Sequence, residues 1–150
     1  MSLKRTLTAA PLAAMVMGLA AGPATAWHGA IDSYCAPHPT RTVHIGDAGA
    51  YESQAVKLKV TLSGSACYNV YVNFETVNGS ALAPGDYPHT VGQVVFTPGE
   101  TFKFISVLAK VDGITESTES FWVRLTGAAG GTIGNTWGNG EIYDGYPPRG

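Results

Sequence analysis

Two cysteines, four histidines and eleven carboxylates are the side chains of this sequence best suited to bind a metal, close a covalent bridge or move a proton. Their spacing narrows the chemistry. His28, His38, His44 and His89 form no H-x-x-x-H pair and no H-E-x-x-H helix, so a zinc hydrolase of that kind finds no support. The serines near Gly64 and Gly79 lack the second glycine of a nucleophile elbow. Cys35 and Cys67 have neither a C-x-x-C partner nor a histidine at ligand spacing, which argues against structural zinc. A paired-carboxylate hydrolase needs two acids across a cleft, and spacing alone nominates none. The expectation is a protein that is not an enzyme.

The chain that must position these residues has 150 residues, 45% of them hydrophobic and 13% charged, with 19 Gly and 9 Pro. Low charge with so much glycine and proline argues against a helical bundle, and the hydrophobic content is too high for a disordered chain. One domain with a real core is expected. The formal charge of -2 leaves no basic surplus to neutralise phosphates, so nucleic-acid binding is not expected.

Residues 1–26 read as a leader rather than as part of the fold. Lys4 and Arg5 precede an apolar run from Leu7 to Ala21, and Ala24-Thr25-Ala26 offers small side chains to a signal peptidase. The run is shorter than a bilayer span and contains Pro11 and Gly18. Cleavage after Ala26 would leave Trp27 first, no membrane span in the mature chain, and a secreted, extracellular protein. Export to an oxidising compartment favours a Cys35–Cys67 disulfide. Closing a loop of about 30 residues would stabilise the fold by roughly 3–4 kcal/mol on the chain-entropy account.

Beyond the leader the pattern is one of strands and turns. Leu58, Val60 and Leu62 alternate with Lys57, Lys59 and Thr61, which is period two. Val70, Val72 and Phe74 alternate with Tyr71, Asn73 and Glu75. Ile105, Val107 and Ala109 alternate with Phe104, Ser106 and Leu108, and Phe121, Val123 and Leu125 with Trp122 and Arg124. Val94-Val95-Phe96 and Ile142-Tyr143 complete the set, with turns at Ser63-Gly64-Ser65, Asn78-Gly79, Pro84-Gly85-Asp86 and Thr97-Pro98-Gly99. About seven short strands over roughly 100 residues predict an all-β, antiparallel sandwich.

Five segments in order carry a resemblance: IGDAGAYES, VTLSG, VNFETVNGSALAPGDY, VVFTPGET with ISVLAKVDGITESTESFWVRL, and GEIYD. Residues 45–144 resemble a Calx-β domain, an Ig-like calcium-binding sandwich. With the leader 1–26, the resemblance divides the chain into a lead segment 27–44, a domain 45–144 and a tail 145–150. It also implies a structural Ca²⁺ site. Glu52 matches the family's glutamate at the domain start, and Asp86 the aspartate of the D-Y pair. Asp112 and Glu116 match the second aspartate and first glutamate of D-D-x-x-x-E, and Asp144 the head of the terminal acidic cluster. Val111, Asn78, Gly145 and Tyr146 stand where the family has further acids or their equivalents. Five carboxylates suit one ion, with carbonyls and water completing six to eight oxygens. Glu119, the family's E-x-F glutamate, is left outside the expected ligand set.

The resemblance further implies that Tyr71, Trp122 and Tyr143 point outward from neighbouring strands of one sheet, as a stripe for a partner. Phe102 and Phe104 would do the same on the other sheet. Residues 27–39 folding over one of these faces is the competing expectation. The function expected from all this is a secreted calcium-binding module for extracellular interaction, adhesion or cell communication, with an extracellular protein or polysaccharide as partner. The second reading is a non-catalytic carbohydrate- or matrix-binding sandwich whose calcium site is vestigial.

Overall fold

Period-two alternation becomes burial along every long strand. In a computed structural model of the chain, Val56, Leu58, Val60 and Leu62 are buried while Lys57 and Lys59 are exposed. The structure describes residues 40–111 and 113–145. These fall in the second of two units into which the chain divides, Tyr34–Gly150. The expected leader 1–26, the segment 27–39 with Cys35 and so the expected Cys35–Cys67 bridge, Asp112, and the tail 146–150 lie outside the described residues.

Nine strands follow in order: β1 (Arg41–Ile45), β2 (Ala48–Tyr51), β3 (Ala55–Leu62), β4 (Val70–Asn78), β5 (Val91–Phe96), β6 (Phe102–Leu108), β7 (Glu119–Ala129), β8 (Gly131–Ile133) and β9 (Trp137–Tyr143). They form a four-stranded sheet, β6-β3-β1-β8, and a five-stranded sheet, β2-β9-β7-β4-β5. The all-β sandwich expected from the sequence is the observed fold. The count exceeds seven because β1, β2 and β8 are too short to alternate visibly. β1 also starts at Arg41, inside the segment assigned to the lead. Most pairings are antiparallel, but β1 runs parallel to β8 and β2 parallel to β9. Among the described residues, no helix is long and apolar enough to cross a membrane.

The core lies between the sheets. Val43, Leu58, Ile105 and Val107 from one sheet meet Val72, Phe96, Phe121 and Leu125 from the other. Tyr87, from the loop after β4, is fully buried and stacks on Phe121 with centroids 4.5 Å apart. Aromatic pairs of this kind contribute about 0.5–1.5 kcal/mol beyond area burial. This contact ties a long loop to the centre of the sandwich. Gly140 makes room for the same ring: a Cβ there would sit 2.4 Å from Phe121 Cζ.

Candidate metal centre

Strand register gathers acids at one end of the sandwich. Parallel pairing matches Tyr51 of β2 to Tyr143 of β9, so the next residues, Glu52 and Asp144, leave the sheet side by side. The Glu52 amide continues the ladder, donating to the Tyr143 carbonyl at 3.0 Å. Glu119 opens β7 opposite Ile142 of β9. Glu116 stands exposed in the segment leading to it.

Asp86 is delivered by the loop after β4. The Asn78 side-chain oxygen accepts from the Ala83 amide at 3.0 Å and from the Tyr87 hydroxyl at 2.7 Å, which ties two points of that loop to the end of β4. Burial of Tyr87 raises its pKa above the ordinary 10.0, so the phenol keeps its proton and stays a donor. Within the loop, the Asp86 amide donates to the Leu82 carbonyl at 3.0 Å, while Asp86 Oδ2 accepts from the Leu82 amide at 2.6 Å. The Lys110 amide donates to the Asp86 carbonyl at 2.7 Å, and Lys110 Nζ donates to the Pro84 carbonyl. Two bonds from one residue therefore dock the loop against the end of β6.

The result is a hollow of about 300 Å³, open solvent included, lined by Glu52, Asp86, Lys110, Glu116, Glu119 and Asp144 with Ile142. Ligand atoms of Asp86, Glu116 and Glu119 all lie within 4.8 Å of one another. Carboxylates this close repel, and a divalent cation relieves the repulsion. The donor set is all hard oxygen, which fits calcium rather than a soft transition metal. Among the described residues, this is the group of ligating side chains near enough to share one ion.

Of the residues expected from the sequence, Glu52, Asp86, Glu116 and Asp144 line one hollow. Asp112 lies outside the described residues. Glu119, left out of the expected set, belongs to the closest trio. The outward aromatics behave differently. They do lie on neighbouring strands β4, β7 and β9, but at different heights. Tyr71 pairs with Ala129 at the far end of β7, whereas Trp122 pairs with Val77. Trp122 instead meets Trp137, with centroids 6.4 Å apart, and Tyr143 meets Tyr51 at 5.5 Å. Tyr143 also donates to Glu141 at 2.9 Å, and that carboxylate raises the phenol pKa above 10.0. No continuous stripe of the three forms, because their positions along the strands are out of step.

The family model for the Calx-beta domain matches residues 48–136, more than half of the chain. The chain belongs to the Calx-beta family. It is similar to sodium/calcium exchanger 2 of Homo sapiens, 37% identical over 97 residues that cover 64% of this chain and 10% of that protein. It is also similar to sodium/calcium exchanger 1 of Canis lupus familiaris, 46% identical over 63 residues covering 42% and 6%. This Calx-beta chain thus spans a tenth or less of the length of these relatives.

Among solved structures, the apo-form Calx CBD1 domain matches with a TM-score of 0.65 at 21% identity, covering 72% of this chain and 100% of that one. The calcium binding domain CBD12 of CALX1.1 matches with a TM-score of 0.63 at 22% identity, covering 68% and 45%. Likeness at this identity supports the fold alone. The curated relatives correct two expectations. They are sodium/calcium exchangers, not secreted adhesion or polysaccharide-binding modules, so the extracellular interaction function and its matrix-binding alternative do not stand. The secreted, extracellular location falls with them, since proteins that carry this Calx-beta sequence at up to 46% identity are exchangers.

Proposed function

We propose that this chain is a calcium-binding domain that holds one Ca²⁺ between Asp86, Glu116 and Glu119, with Glu52 and Asp144 completing the protein's share of the shell. The observation that carries this is the mutual approach of the three ligand atoms within 4.8 Å. Support also comes from a solved neighbour described as a calcium binding domain. The ligands come from four separate stretches of chain, so the ion would link the ends of β2 and β9, the Asp86 loop and the start of β7. Filling the site would stiffen that end of the sandwich.

Titration calorimetry of the full chain tests it. Calcium binding with one ion per chain is expected, with a melting temperature that rises with calcium. At a hundred times Kd, the gain is about 2.7 kcal/mol. Magnesium should substitute poorly, because it demands a tight octahedral shell. Asp86→Asn should remove most of the rise. No binding heat and no melting shift up to about 10 mM, some ten times the weak limit of about 1 mM for such sites, would overturn the reading.

A further inference from the structure

Charges in the sandwich are sorted by sheet. The strands of the β6-β3-β1-β8 sheet carry Arg41, Lys57, Lys59 and Lys103 and no carboxylate. The strands of the other sheet carry Glu75, Glu119 and Glu141 against Arg124. A chain of net charge -2 therefore has one sheet whose strands are basic, and of these cations Lys103 is paired with Glu100 of the preceding turn at 2.7 Å.

Large apolar side chains share the outward face of that basic sheet. Phe102, Phe104 and Leu108 are 49%, 50% and 52% exposed. The register sets Lys59 beside Phe104, Lys57 beside Ser106 and Ala55 beside Leu108. The two phenylalanine rings meet edge-on with centroids 5.8 Å apart, and Lys59 Nζ stands 4.6 Å from the Phe102 centroid. At a strand rise of about 3.4 Å per residue, the row from Phe102 to Leu108 runs about 20 Å, with Ser106 standing between Phe104 and Leu108. It is a ribbon of rings along edge strand β6, with a ribbon of ammonium groups along β3.

We propose that this face docks on an anionic lipid bilayer, with Lys57 and Lys59 over the headgroups and Phe102, Phe104 and Leu108 in the interfacial layer. Charge complementarity selects the occupant. A second copy of the chain, docked face to face, would set lysines against lysines with no carboxylate on these strands to compensate. An anionic bilayer supplies negative charge and apolar depth together. The lysines suit this task, since their stems lie along apolar surface while the ammonium reaches outward.

Co-sedimentation of the full chain with lipid vesicles tests the proposal. A chelator is present throughout, so that calcium held in the acidic hollow cannot bridge protein to lipid. The chain should sediment with phosphatidylserine-containing vesicles and stay in solution with pure phosphatidylcholine. Binding should weaken as salt rises. The double substitution Lys57→Gln, Lys59→Gln should lower partitioning about thirtyfold, from the typical contribution of each lysine near an anionic surface. Phe104→Ser should lower it while leaving the salt dependence in place. Unchanged melting temperatures would show that these exposed substitutions leave the fold intact. Failure to sediment with anionic vesicles, equal binding to neutral ones, or indifference to all three substitutions would overturn the proposal. So would a dimer in sedimentation velocity that Phe104→Ser dissolves, because the face would then belong to a second copy.

Discussion

Lys110 lines the same hollow as five carboxylates and is fixed there by its bond to the Pro84 carbonyl. Its charge partly balances the acids before any metal arrives, and it must be outweighed when one does. Lys110→Gln should therefore raise calcium affinity, by about fivefold at low salt and less as salt screens the ammonium. Titration calorimetry at two salt concentrations checks both parts; unchanged affinity would show that the ammonium acts only as a loop tether. Lys110 did not stand out in the sequence as a site residue, and Glu119, though matched to the family's E-x-F glutamate, was left outside the expected ligand set. Glu52, Asp86, Glu116 and Asp144 were legible because each sits in a segment whose order resembles the family. Glu119 sits in such a segment too, but its place at the start of a strand gave no sign that it joins the ligand set. Only the β7–β9 register, which sets it opposite Ile142 at the hollow's floor, turns it toward the other acids.

The turn between β5 and β6 shows how an element can be tuned by one acid. Glu100 accepts from the Thr97 amide at 2.7 Å and pairs with Lys103 at 2.7 Å. The Lys103 contact first, and the Thr97 amide second, hold its pKa below the ordinary 4.5. A depressed carboxyl stabilises the fold above its unfolded pKa and loses that contribution as pH falls through the folded value. Glu100→Gln should thus melt below the wild type at neutral pH, with the gap narrowing as the pH falls below the carboxyl's ordinary 4.5. A gap independent of pH would assign the effect to turn geometry instead. Strand β9 is constrained differently. Phe121 is held by its stack on Tyr87, so it cannot easily yield to a new methyl group at Gly140. Gly140→Ala should cost about 1–3 kcal/mol by denaturant unfolding, the usual range for overpacking. The long strands β3, β4, β6 and β7 were readable from alternation alone. The short β1, β2 and β8 were not, since three to five residues give too few periods. Their parallel partners also lie far away in sequence.

Across the described residues, the acidic hollow and the basic sheet face are separate features of opposite charge. Composition alone could not reveal this, because a net charge of -2 averages over both. The stripe expected from Tyr71, Trp122 and Tyr143 failed for a related reason: shared strands and a shared face do not fix height along the strand. One feature of the fold reaches further. β2 lies parallel to β9, and β1 parallel to β8. A tensile load applied along two parallel neighbours in opposite directions must shear several ladder bonds at once instead of unzipping them one by one. Glu52 and Asp144 emerge side by side at the end of the β2–β9 pair, where an ion between them would act as a removable rivet. In single-molecule pulling with handles just before β2 and just after β9, the rupture force should rise when calcium is added and fall when it is chelated. A force indifferent to calcium would place the ion elsewhere in the hollow. A domain built this way would bear more tension with its site filled than with it empty.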